Sequence, residues 1–217
     1  MDWSQQKTKA GKRKDSLKNS KNIVGNTYDK YATTNPAARY LMGRFLDAVT
    51  SLYNEARPAT VLEIGCGEGK LIQHLIENAE QPAQKITACD LSLDRITENL
   101  NPIIKFQEAS IYELPFGDDQ YDLVVCCEVM EHLEEPADGL AEISRIAKQA
   151  VLLSTPWEPV WRIMNLMRGK YISNLGNTPG HVQHFSRAGL AELAQTRLDI
   201  VATLTPFPWT VLLGKPR

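Results

Sequence analysis

The stretch Glu63-Ile64-Gly65-Cys66-Gly67-Glu68-Gly69 sets a carboxylate two residues ahead of three alternating glycines. Glycines so spaced let the backbone bend closely around a ligand, although glycine also serves wherever a strand must turn sharply into a helix. The carboxylate suits a cationic ligand end and opposes a phosphate. The spacing is one residue short of the G-x-G-x-x-G that seats a dinucleotide pyrophosphate, and Gly69-Lys70-Leu71 lacks the hydroxyl that would hold magnesium in a phosphate loop. Asp90 follows about 20 residues later, where an acid accepts hydrogen bonds from ribose hydroxyls. A ribose beside a cationic group is therefore expected.

Two further groups could move a proton. Glu128, Glu131 and His132 follow a β-rich run, and ligands in open α/β sheets bind at the carboxyl ends of such strands. Glu131 and His132 equally suit an exposed turn ahead of the helix that starts near Pro136. The second group is Gly180-His181-Val182-Gln183-His184-Phe185-Ser186. Imidazole titrates near neutral pH and can take a proton from a hydroxyl or an amine, and His184 is preferred here over His181 as the base. Packing or capping at the following helix is the structural alternative for either ring. His181-x-x-His184 shows no third ligand in the sequence, so no metal is expected.

The elements that must position these residues follow from periodicity. Asn35-Pro36 reads as a cap and first helical residue, followed by Leu41, Met42, Phe45, Ala48, Val49 and Leu52 at helical spacing up to Pro58. Strands are predicted at Val61 to Ile64, Lys85 to Asp90, Ile103 to Glu108, Tyr121 to Cys127 and Ala150 to Ser154. Helical stretches of crossover length lie between most of them. Leu71, Leu75, Ile76 and Ala79 make one helix face, and Leu140, Ile143 and Ala147 another. Ser186 opens a late helix to about Thr196. Leu198 to Leu204 and Trp209 to Leu213 are then too close for a crossover and must pair antiparallel. The fold class is α/β: a Rossmann-like, seven-stranded, mostly parallel sheet with one antiparallel strand near the C-terminus and helices on both faces.

The 217 residues are 43% hydrophobic and 23% charged, ordinary globular proportions that exclude a fibrous or wholly disordered chain. A net charge of −2 carries no footprint for a nucleic acid. Charge is nevertheless uneven: Lys7, Lys9, Lys12, Arg13, Lys14, Lys18 and Lys21 face only Asp2 and Asp15. Residues 1–22 read as a flexible basic tail and residues 23–217 as one domain. No apolar run approaches a membrane span and no secretory signal is evident, so a cytoplasmic protein is expected. Cys66, Cys89, Cys126 and Cys127 lack zinc spacing and read as structural thiols in a reducing compartment.

Residues 157–180 form a long connection between the fifth strand and the late helix. Val160, Trp161, Met164, Leu166 and Met167 alternate there with Arg162, Arg168 and Lys170. A short amphipathic helix is expected to cover an acceptor pocket as a lid, with a peripheral membrane contact as one use of its surface. A plain core helix would show the same spacing. Tyr28, Tyr31 and Arg39 are candidates to complete the lid.

Four segments resemble, in order and at family spacing, the class I methyltransferases that use S-adenosylmethionine, with the quinone and sterol-type branch nearest. They are Glu63-x-Gly65-x-Gly67-x-Gly69, Asp90-Leu91-Ser92, Ala109 to Phe116, and Tyr121 to His132. The resemblance implies that Glu63 and Gly65 hold the methionine end, Asp90 the ribose, and Leu91, Ser110 and Ile111 the adenine. Cys66, Gly67, Gly69, Cys127 and Glu128 would complete the cofactor site. Ser110 departs from the Asp of many relatives, so a contact to the adenine amino group would come from a hydroxyl or from backbone. The implied activity is in-line methyl transfer to a small-molecule or lipid-like acceptor, with His132, Trp157, Trp161, Tyr28 and Tyr31 as substrate contacts. Neither a nucleic acid nor an obligate protein partner is expected. A non-catalytic binder of the same cofactor, acting as a partner or sensor, is the alternative from another class. RNA or protein methylation ranks lower: Cys127-Glu128-Val129-Met130 stands where a base-amine methylase would carry its proline pair.

Overall fold

The computed structural model describes residues 33–217. The basic N-terminal stretch, Tyr28 and Tyr31 lie outside the described residues.

Alternation along the central strands divides the interior in two. In β4 (Tyr121–Cys127), Leu123, Val125 and Cys127 face one way, and Val124 and Cys126 the other. The first layer meets α1 (Pro36–Ala56) and α2 (Lys70–Asn78); the second meets α3 (Pro136–Ile146) and α5 (Arg187–Gln195). A strand buried on both faces must be apolar at every position, as β4 nearly is. Helices cover both faces, as predicted.

The remaining elements are β1 (Thr60–Ile64), β2 (Lys85–Asp90), β3 (Ile104–Glu108), β5 (Ala147–Pro156), α4 (Glu158–Met167), β6 (Leu198–Leu204) and β7 (Trp209–Pro216). The seven strands lie in the order β3-β2-β1-β4-β5-β7-β6. β7 runs antiparallel to both β5 and β6 and is the one reversed strand. The order turns back on itself between β1 and β4, which puts a crevice at the carboxyl ends of these two strands.

Local signals hold at the helix starts. Asn35 Oδ1 accepts from the N–H groups of Ala37 and Ala38 at 2.9 and 3.2 Å, and Ser186 Oγ from that of Gly189 at 3.0 Å. Several strand boundaries differ, β1 starting at Thr60 and β5 running on to Pro156 among them. β3 begins at Ile104, because the Ile103 N–H is taken by Asn101 Oδ1. β5 begins at Ala147, which pairs with Tyr121 and so belongs to the sheet rather than to the helix face assigned to it. β7 runs on to Pro216, paired with Leu198.

Arg145 on α3 anchors the loop after β3. Its guanidinium donates to the carbonyl oxygens of Leu114 and Phe116 and to the carboxylates of Asp118 and Glu142. The Glu142 and Asp118 carboxylates hold its pKa above the usual arginine value, and the set of bonds pins residues 114–118, which follow Ser110 and Ile111.

Candidate active site

β1 delivers the Glu63 side chain into the interior at 3% exposure, and the chain then bends. Gly65 has φ 73°, and a Cβ there would overlap Val129 Cγ2, so both the turn and the packing demand glycine. The N–H groups of Gly65 and Cys66 donate to Cys89 O at 2.8 and 3.1 Å, tying the bend to β2. The Gly67 N–H donates to Asp90 Oδ2 at 2.8 Å, and the Leu91 N–H to Asp90 Oδ1 at 2.7 Å. The Asp90 carbonyl accepts from the Ala109 N–H at 2.9 Å, which sets Ser110 and buried Ile111 beside it. Ser110 Oγ accepts from the Tyr112 N–H at 3.3 Å.

Burial, reinforced by the charge of Asp90, pushes the Glu63 carboxyl from 4.5 up to about 8. Its Oε2 is buried and has no hydrogen-bond partner. A Cβ on Gly67, by contrast, would meet nothing within 4 Å. The bend therefore combines open space with a buried acid, one oxygen of which lacks a donor. Cys66 and Cys127 lie buried at this edge as free thiols, their pKa values raised by burial, which keeps them from acting as thiolates.

At the end of β4, Glu128 adopts the left-handed region with φ 61°, a strained conformation for a residue with a side chain. Its carboxylate accepts from Trp209 Nε1 at 2.9 Å and from Ser154 Oγ at 3.3 Å. Trp209 in turn lines a cavity of about 320 Å³ together with Met42, Trp161, Met164, Arg168 and Tyr171. The volume is that of a small-ligand site, and the walls are mainly apolar. Trp161 is held there by its Nε1–H, which donates to Thr178 Oγ1 at 3.0 Å.

A model of the methyltransferase domain matches residues 37–197. The chain belongs to the methyltransferase domain family. It is 26% identical over 148 residues to a ubiquinone biosynthesis O-methyltransferase of Rickettsia bellii, covering 65% of this chain and 60% of that one. It is 32% identical over 140 residues to an uncharacterized 37.1 kDa protein of a Streptomyces fradiae transposon, covering 61% of this chain and 38% of that one. This chain thus spans less than two thirds of either relative. Magnesium protoporphyrin IX methyltransferase from Synechocystis PCC 6803, solved with SAH bound, superposes with a TM-score of 0.61 at 17% identity, over 94% of this chain and 95% of that one. That likeness is one of fold. The architecture is that of the class I methyltransferases, as the four segments implied, and S-adenosylmethionine is the cofactor of the family.

The residues present fit that group. Its cationic amino end would supply the donor that Glu63 Oε2 lacks, and its ribose would meet Asp90. Leu91, Ser110 and Ile111 stand together at the neighbouring edge through the contact between Asp90 and Ala109.

The other expected residues separate. Trp161 lines the cavity, whereas Trp157 stands at the residue before α4 and lies under the Arg187 guanidinium, 4.1 Å from the ring centre. The apolar face assigned to α4 is divided: Trp161 and Met164 turn toward the cavity, while Leu166 and Met167 are exposed and the helix buries Glu158 and Asn165. His181 is buried, with Nδ1 2.5 Å from Glu158 Oε1. His132 Nδ1 is 2.9 Å from Gly180 O, and the two rings meet edge to face at 4.9 Å. His184 is exposed, with Nε2 3.0 Å from Asn177 Oδ1. The sequence reading missed Glu158 and Trp209. Glu158 looks like an ordinary first-turn acid, and only the pair of prolines before Trp209 marked that residue. Among the described residues, no helix is long and apolar enough to cross a membrane.

Proposed function

We propose that this protein transfers a methyl group from S-adenosylmethionine to a hydroxyl of a small, largely apolar acceptor. The observation that carries the reading is the buried Glu63 carboxylate, with one oxygen lacking a donor, behind an open glycine bend. The cofactor, when bound, supplies an electrophilic methyl group whose departure leaves a neutral thioether and needs no acid.

The chain's own residues then have three tasks. Glu63 takes the cationic end, Asp90 the ribose hydroxyls, and Leu91, Ser110 and Ile111 the adenine. The cavity between Trp161 and Trp209 takes the apolar body of the acceptor, in keeping with the likeness to a ubiquinone biosynthesis O-methyltransferase. His184 takes the acceptor's proton: with Nε2–H donating to Asn177 Oδ1, Nδ1 is left as the basic nitrogen.

Calorimetric titration with S-adenosylmethionine, followed by turnover across hydroxylated aromatics with and without prenyl chains, tests the reading. Binding plus turnover of at least one apolar acceptor is expected. Absence of binding, or binding without turnover across the whole panel, would overturn it; the second result favours the non-catalytic binder. His184→Ala is expected to lower kcat by about 100-fold while cofactor affinity stays within about twofold. Equal loss of both would remove His184 from the acceptor site.

A further inference from the structure

Glu131 and His132 sit in the 3₁₀ turn after β4 (Met130–His132), and His181 comes from the loop ahead of α5. About 50 residues of chain separate them, yet one ligand atom from each lies within 4.8 Å of the other two. The sequence offered only His181-x-x-His184 as a pair without a third ligand. The fold leaves His184 out of the group and supplies a carboxylate and a second imidazole instead.

Three observations set this cluster apart from a chance meeting of polar side chains. Both imidazoles have Nδ1 committed to an oxygen: His132 donates to Gly180 O and His181 to the buried carboxylate of Glu158. Each Nε2 therefore keeps its lone pair, the tautomer a metal-binding histidine needs, and a carboxylate behind the ring is its usual support. Glu131, at 1% exposure, brings a carboxyl oxygen into the same interior. Backbone bonds hold the two halves in register: the N–H groups of Val182 and Gln183 donate to Glu131 O at 2.9 and 3.0 Å, and that of Glu158 to Phe185 O at 3.1 Å.

We propose that Glu131, His132 and His181 bind one divalent transition-metal cation, with Glu158 orienting His181 from behind. Ligand atoms about 2.1 Å from such a cation stand about 3.5 Å apart, a closure that modest side-chain rotation provides. Two nitrogens and one oxygen suit zinc, iron(II), manganese or cobalt better than calcium or magnesium. Three protein ligands leave coordination positions open, as at catalytic rather than structural sites. An acceptor oxygen bound in an open position would lose its proton more readily. That last role rests on the proposed methyl transfer; binding of the cation does not.

The experiment uses tag-free full-length protein stripped with chelator and titrated calorimetrically with zinc, with no methyl acceptor present. One site per chain is expected, at roughly micromolar affinity or tighter. Glu131→Gln and His181→Ala should each weaken it by at least about tenfold, and Glu158→Gln by about tenfold, while His74→Ala on α2 changes nothing. Titration of each variant with S-adenosylhomocysteine reports whether its cofactor cradle is intact. A second arm needs no variant: cobalt(II) added to wild-type protein should shift the imidazole NMR signals of His132 and His181 and spare His74. Absence of a 1:1 site, zinc affinity unchanged in folded Glu131→Gln and His181→Ala, or cobalt shifts confined to other histidines would each overturn the proposal. Failure of methyl transfer would leave these results untouched.

Discussion

Asp90 Oδ2 accepts the Gly67 N–H at 2.8 Å, so the acid that ends β2 also fixes the bend that follows β1. Removing that carboxylate therefore removes the anchor of the loop and, on the proposed reading, the acceptor for the ribose. Asp90→Ala is expected to raise the dissociation constant of S-adenosylhomocysteine by about 100-fold, the loss of roughly two charge-assisted hydrogen bonds, and Asp90→Asn by less. Calorimetry on both variants checks this; an affinity within twofold of wild type would detach Asp90 from the cofactor.

Glu63 makes the unliganded protein sensitive to pH. Its folded pKa, about 8, lies above the ordinary 4.5, so the folded state holds a proton that the unfolded state releases across this window. The Glu63 contribution to stability is complete below about pH 4.5 and is lost as pH rises through about 8. The melting temperature of ligand-free protein should fall between pH 6 and 8 (roughly the upper part of that window), and Glu63→Gln should flatten this slope. A cationic ligand end favours the carboxylate form, so cofactor binding at neutral pH should release a proton. Titration in buffers of different ionisation enthalpy measures that release, and a value of zero would place the ligand's charge elsewhere.

Two glycines of the bend should fail in different ways when given a methyl group. In Gly65→Ala the new Cβ collides with Val129 and the left-handed backbone is strained, a combined loss of about 2–4 kcal/mol visible in denaturant unfolding. In Gly67→Ala the Cβ enters open space, leaving about 1 kcal/mol of backbone strain, but it occupies room the ligand needs. Cofactor affinity should drop at least about tenfold there while most of the stability survives. Equal destabilisation of the two variants would contradict this division.

Trp161→Ala should open the cavity wall it shares with Trp209. For an apolar acceptor, KM is expected to rise by about tenfold or more, with cofactor affinity unchanged. Steady-state kinetics at saturating cofactor separates the two effects.

Strand positions were legible because doubly buried strands such as Leu123-Val124-Val125-Cys126-Cys127 leave little room for another reading. The glycine bend and Asp90 were legible because their chemistry lies within a few residues of chain. Ala147 was not, since alanine suits the end of a helix face and the start of β5 alike. The inner side of α4 was harder still. Hydropathy assigns Leu166 and Met167 to it, yet the structure buries Asn165, whose Nδ2 donates to Gly176 O at 2.9 Å, and Glu158, which meets His181. Those partners arrive from a loop more than ten residues downstream, and no periodicity along α4 announces them. The union of Glu131 and His132 with His181 was invisible for the same reason: it depends on the hydrogen bonds that dock residues 180–183 on the turn after β4.

The fit of Val129 against the bare Cα of Gly65 joins the glycine bend to the turn bearing Glu131 and His132. A shift of either would press on the other. Filling one pocket should thus stiffen its neighbour, and by reciprocity each occupant should tighten the grip on the other.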